Sequence, residues 1–217
     1  MALATTLREA DLFRSLPKAF VQCRACAHYC AVPEGGAGKC GVRRNLGGRL
    51  YLVTYGKAAA LHLDPVEKKP LYHFHPGEGI LSVGTVGCNL FCAFCQNWQI
   101  SQADPENVDA RDLPPADVVR QAAFYHCRSI TYTYTEPTVF YEYMLDTAVL
   151  ARQFGVRNAM HSCGYINEKP LRRVAKLLDA ADIAGSRRNV VVGDLSHTTQ
   201  MDVFRGDGRR SGSHSRG

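Results

Sequence analysis

Gly87-Cys88-Asn89-Leu90-Phe91-Cys92-Ala93-Phe94-Cys95-Gln96-Asn97-Trp98 sets three cysteines at spacings of three and two residues, with an aromatic directly before the last. Thiolate is the soft ligand that iron–sulfur clusters select. A cluster of four irons held by three sulfurs leaves one iron open to a small molecule. A zinc site instead usually completes four protein ligands, with paired CxxC or His spacings. Three unrelated buried thiols are the remaining reading. The loop has no fourth ligand nearby, although one could come from elsewhere in the fold.

The flanking sequence sets the fold class. Residues 79–84 read as a short buried strand that feeds the cysteine loop at its C-terminal end. That is where ligands collect in α/β sheets and barrels. Downstream, strand and helix patterns alternate. Residues 114–125 predict a helix with prolines at its start. Residues 129–135 form a β-branched and aromatic strand, and residues 137–154 a helix closed by Gly155 at C′. A strand over 156–162, a helix over 168–178 and a strand over 179–183 follow. Such repeats demand a parallel sheet with right-handed crossovers. The expectation is an α/β fold with three to four βα units, about half of a barrel.

At the end of the second of these strands, Thr133-Tyr134-Thr135-Glu136-Pro137 puts a carboxylate at the strand tip, with proline opening the next helix. Glu136 can there accept hydrogen bonds from an amino group. The helix dipole alone would also favour an acid at that position.

Upstream lies a second cysteine group, Cys23, Cys26 and Cys30 around His28, then Cys40 after the glycines at 35, 36 and 38. These glycines let the loop fold tightly, so that Cys40 can return to the first three. Four cysteines, or three with His28, suit a structural zinc site. A second iron–sulfur cluster needs the same ligands, and the spacing does not separate the two. Before this group, residues 5–20 predict a short amphipathic helix through Leu7, Leu12, Phe13 and Leu16, ended by Pro17. After it, residues 49–55 read as a strand. His73 and His75 would share one face if their stretch were extended. Pro70 and Pro76-Gly77 argue for a loop instead.

The 217 residues, 46% hydrophobic and 21% charged, describe a globular chain of one to one and a half domains. Nine cysteines with no secretory leader point to metal ligation rather than disulfides. No apolar run approaches the ~18 residues of a membrane span. The expected compartment is the cytoplasm. Residues 184–217 hold six Arg and three Asp, half of the net charge of +6. The remainder is spread too thinly to argue for nucleic acid.

The motifs in order are Cys23-x2-Cys26-x-His28-x-Cys30, Cys40-Gly41-Val42-Arg43, Glu67-Lys68-Lys69-Pro70-Leu71-Tyr72-His73-Phe74, the cysteine loop through Trp98, and Tyr134-Thr135-Glu136-Pro137. Together they resemble the radical S-adenosylmethionine (SAM) superfamily, and within it the radical SAM enzyme of the AmmeMemoRadiSam system, a relative of pyruvate formate-lyase activating enzymes. The resemblance covers about residues 15–183. It implies a partial (β/α)6-type barrel over 51–183, preceded by a cysteine-rich metal-binding segment over 1–50. It implies a [4Fe–4S] cluster on Cys88, Cys92 and Cys95, with SAM chelating the fourth iron. Phe94 would pack beside the adenine, and Glu136 would hold the SAM amino group as a Gly-Gly-Glu-Pro-like motif does. Ser162 and Gly164 match a Thr-Asn-Gly turn that lines the SAM pocket, whereas Cys163 departs from it and is expected to be a small buried thiol.

By the same resemblance, reductive cleavage of SAM yields a 5′-deoxyadenosyl radical. The electron comes from a flavodoxin or ferredoxin-like donor, and the radical passes to a glycine of a partner protein. Past Ile183 the match stops, and 184–217 is expected to be a divergent, disordered tail, as of a truncated end. Two rival readings stand beside this one: a metal-binding fragment without chemistry, and an RNA-modifying radical SAM enzyme. The second has little support, since the cysteine knuckle lacks aromatic interleaving apart from Tyr29.

Overall fold

The computed structural model describes residues 7–184, together with the strands Arg188–Val190 and Phe204–Arg205. In chain order the strands are β1 (Arg8–Glu9), β2 (Phe13–Ser15), β3 (Val21–Cys23), β4 (Ala31–Val32), β5 (Arg43–Leu46), β6 (Arg49–Leu52), β7 (Lys57–Ala58), β8 (Ala60–Pro65), β9 (Gly79–Gly84), β10 (Arg111–Asp112), β11 (Ser129–Tyr132), β12 (Arg157–Ser162), β13 (Ala180–Ile183), β14 (Arg188–Val190) and β15 (Phe204–Arg205). The helices are α1 (Trp98–Ser101), α2 (Pro115–Phe124), α3 (Tyr141–Gln153) and α4 (Glu168–Ala175).

The main sheet runs β15-β14-β13-β12-β11-β9-β8. Its centre, β9, β11, β12 and β13, is parallel, with Leu81 beside Ile130 and Met160 beside Ala181. β8 closes one side antiparallel to β9. Successive strand residues point to opposite faces. Leu81, Val83, Ile130, Tyr132 and Met160 therefore enter the large core with Val118, Ala122, Met144 and Ala148 of α2 and α3. Ile80, Ala159 and Ala180 face the other way, against Val66, Leu71 and Phe74. Gly155 (φ +70°) ends α3 as its position predicts.

Two expectations give way. Of the helix expected over 5–20, the described residues 7–20 are not helical: β1 pairs with β6 and β2 with β3, both antiparallel. The backbone of Ala10 donates to Leu50 O and that of Arg24 to Leu12 O. Tertiary strand partners here override a local pattern that also fitted a helix. Within the tail, β14 and β15 are strands where composition predicts disorder, because β13 offers an unpaired edge to a backbone partner. The rest of that tail lies outside the described residues.

The N-terminal strands are tied into the same core. The Arg43 guanidinium, 2% exposed, donates through Nη1 and Nη2 to both oxygens of Glu142 (0% exposed) on α3, at 3.2 and 2.5 Å. Its Nε donates to Val139 O, and Asp11 N donates to Glu142 Oε1. A buried bidentate pair fixes orientation sharply, because losing either partner strands a charge. Among the described residues, no helix is long and apolar enough to cross a membrane.

Candidate functional site

The C-terminal ends of β9, β11 and β12 open onto a cavity of about 450 Å³. Its walls include Cys88, Cys92 and Cys95, then Glu136, Ser162, Cys163 and His161, and on another side Lys68 and Lys69. Cys88 is buried, Cys95 half-buried and Cys92 exposed. The cysteine loop begins at Gly87, where φ is +91° and an added Cβ would lie 2.6 Å from Cys40 O and 2.4 Å from Val42 Cγ1. Only a residue without a side chain lets the loop turn there while lying directly on the N-terminal strands.

Glu136 is 4% exposed and is held by three donors. Ser162 Oγ (2.6 Å) and Thr138 Oγ1 (3.0 Å) donate to Oε1, and Cys163 N donates to Oε2 at 2.8 Å. An ionised carboxylate accepts about four hydrogen bonds, so Oε2 retains room for one more donor from the cavity. The residue two before it, Tyr134, has φ +70°, a left-handed backbone that costs a non-glycine residue about 1–2 kcal/mol. The tyrosine is anchored there from several sides. Its hydroxyl donates to Asp64 Oδ2 (2.9 Å), its carbonyl accepts from Asn97 Nδ2 (2.9 Å), and Lys69 Nζ lies 4.6 Å from its ring centroid.

Asp64 gathers the cationic wall. Lys68 and Lys69 reach its two oxygens at 2.7 and 2.8 Å. Burial acts to raise the Asp64 carboxyl, but Lys68, Lys69 and Tyr134 more than reverse this and hold it well below the usual range. Burial lowers Lys69, against the pull of Asp64. Two lysines against one aspartate leave this wall net positive. Nearby, His161 donates from Nδ1 to Asp182 Oδ2 at 2.5 Å, which fixes the orientation of the ring.

Of the residues singled out in the sequence, the cavity brings together Cys88, Cys92, Cys95, Glu136 and Ser162. Phe94 is 88% exposed and is not a wall residue. Gly164 sits just behind the wall: φ is +75°, its N donates to Ser162 Oγ, and a Cβ would press on Ile183. His73 and His75 lie in a loop, away from the cavity. Cys163 is not the buried thiol expected of it but an exposed side chain on the cavity wall. It follows the strand end and its backbone is drawn to Glu136, so the thiol is left facing open space. Burial of its surroundings, Glu136, and then Cys92, Cys88 and Cys95 push the Cys163 thiol up to about 11. Lys68, Lys69, Tyr134 and His161 carried no assigned role in the sequence. The Glu67-Lys68-Lys69-Pro70 motif was the signal that could have found the lysines.

Cys23, Cys26, Cys30 and Cys40 line a second, small apolar pocket of about 20 Å³, with His28, Arg43 and Asn89. Burial raises the Cys23 thiol and pushes Cys40 up to about 11. His28 Nε2 donates to Asn89 O at 2.7 Å, so that nitrogen is taken. Among the described residues, no three His, Cys, Asp or Glu side chains converge where one metal ion would sit. The expected second metal centre at Cys23, Cys26, Cys30 and Cys40, whether zinc or iron–sulfur, thus gains no support here. A polynuclear cluster takes each thiolate on a different iron, so its cysteines need not converge on one point. Three soft donors on one open cavity fit that group.

Residues 82–187 match the family model of the Radical SAM superfamily. This stretch is a radical SAM domain. It takes in β9, the cysteine loop, Glu136 and β13, and so every wall of the cavity except Lys68 and Lys69. The chain is also 44% identical over 180 residues to an uncharacterised protein of Methanocaldococcus jannaschii, covering 83% of this chain and 54% of that protein. The chain thus spans about half the length of the curated relative that it matches.

Proposed function

We propose that this chain binds a [4Fe–4S] cluster through Cys88, Cys92 and Cys95 and cleaves SAM reductively beside it. The observation that carries the reading is the sharing of one open cavity by the three loop cysteines and a buried, pre-oriented carboxylate, Glu136. When bound, the cluster supplies one electron to the sulfonium of SAM, giving methionine and a 5′-deoxyadenosyl radical. The chain's own residues bind and orient. Glu136 Oε2 takes a hydrogen bond from the SAM amino group. Ser162 and the turn through Gly164 hold that carboxylate in place, and Phe94 folds over the adenine. Lys68 and Lys69 supply positive charge for a carboxylate on the facing wall. In the AmmeMemoRadiSam-like, activating-enzyme reading, the electron comes from a flavodoxin or ferredoxin. The radical then passes to a glycine of a partner protein, and the setting is the cytoplasm. The N-terminal cysteines hold a second metal centre, of zinc or of iron and sulfide.

Anaerobic reconstitution with iron and sulfide, then dithionite and SAM, tests the proposal. 5′-Deoxyadenosine and methionine should form in equal amounts, both from this chain and from its longer relative. A cluster without cleavage in either protein would leave only a metal-binding scaffold.

A further inference from the structure

We propose that Cys163 is a fourth, exchangeable protein ligand of the cluster, bound while SAM is absent and displaced when SAM arrives. This rests on the cluster assignment above and extends it to the cluster's open corner. Four irons face three loop thiols, and the structure sets a fourth thiol on the wall of the same cavity. The sulfur of Cys163 is exposed and, among the described residues, has no hydrogen-bond partner. The turn that carries it is tied at two points: Cys163 N donates to Glu136 Oε2 at 2.8 Å, and Gly164 N to Ser162 Oγ at 2.9 Å. The thiol is therefore presented to the cavity by a hydrogen-bonded backbone, at the end of β12, the strand beside the one that leads to Glu136. An incoming amino group that hydrogen-bonds Glu136 must come to lie beside Cys163.

The exchange balances without any electron moving. As Cys163 binds, its S–H bond breaks, the proton passes to solvent and an Fe–S bond forms. As SAM binds, that Fe–S bond breaks, bonds to the SAM amino nitrogen and carboxylate oxygen form, and the sulfur takes a proton back. A cluster closed by four thiolates has no bare iron to lose to oxidants. The open corner would then exist only when there is SAM to fill it.

The test is Mössbauer spectroscopy of the full chain reconstituted with 57Fe, with and without SAM, in the parent, Cys163→Ala and Cys163→Ser. The parent without SAM should show four irons of uniform, sulfur-only character, and SAM should split off one distinct iron. Both variants should show the distinct iron, or a three-iron cluster, already without SAM. Equilibrium binding should find SAM held about tenfold more tightly by Cys163→Ala, because no thiolate has to leave first. A parent spectrum with a distinct iron before SAM is added, matching that of the variants, overturns the proposal and leaves the cluster assignment standing. A parent with no four-iron spectrum overturns both.

Discussion

The two cysteine groups of this chain abut one another and differ in almost every physical respect. The loop group opens on about 450 Å³, with Cys92 exposed and charged side chains on the facing wall. The N-terminal group encloses about 20 Å³ of apolar space, beside a buried arginine. Openness is what a site needs if a small molecule must reach metal. Closure is what a site needs if it only holds the chain together. Yet the two are interlocked. Gly87 rests on Cys40 and Val42, and His28 donates to the carbonyl of Asn89, next to Cys88. The lesson is that the buried group serves as the floor on which the open one is built.

The largest expected effect separates the two groups. Cys92→Ala should abolish the loop cluster and reduce 5′-deoxyadenosine formation to background, while any metal held by the N-terminal cysteines persists. Metal and sulfide analysis of the variant, beside one lacking Cys26, checks this. Loss from Cys92→Ala of the metal that Cys26 holds would show that the groups are one site.

Next comes the tie between the regions. Arg43→Ala strands the Glu142 carboxylate in the core, and breaking a buried pair in this way costs about 3–5 kcal/mol. Urea denaturation should show one cooperative transition moved to lower urea. Two separate transitions would mean that the N-terminal segment folds by itself. Gly87→Ala forces a methyl group onto Cys40 O and Val42, and should cost about 1–3 kcal/mol. It should also lower the iron content of the loop group, read against the unchanged parent after identical reconstitution.

Glu136→Gln keeps the shape and removes the charge. A hydrogen bond to a charged group is worth about 1.5–3 kcal/mol. SAM affinity should accordingly fall about tenfold or more while the cluster spectrum stays as it is. The smallest effect is on the acid limb of stability. Asp64 is held below its ordinary pKa, so its contribution is complete above the unfolded-state value of about 4 and is lost as pH falls through the lower folded value. Asp64→Asn should destabilise the protein at pH 7 and shrink the difference between pH 7 and pH 3, as measured by chemical denaturation.

Much of the sheet was legible in advance. β9, β11, β12 and β13 lie where alternation and β-branched runs put them, α2 and α3 where proline starts and a glycine stop put theirs, and α4 within the helix expected over 168–178. Local chemistry decides such elements, because each carries its own periodicity and its own ends. Residues 5–20 were misleading for the opposite reason. Leu12 and Ala10 are buried by strands distant in sequence, and a short apolar pattern does not reveal its partner. In the site, Cys88, Cys92, Cys95 and Glu136 announced themselves because spacing or a strand tip constrains them. Lys69, Tyr134 and His161 did not, since their roles come from Asp64 and Asp182 across the fold.

By itself the sequence determined the three-thiol loop, its place after a buried strand and the run of βα units that follows. These are patterns within a few residues, and covalent spacing carries them. Only the tertiary structure decided that Cys163 and two lysines line the same cavity, and that Cys40 and Val42 lie against the start of the cysteine loop. Those facts depend on how separate strand ends come together around one space, and no local pattern of residues encodes that distance.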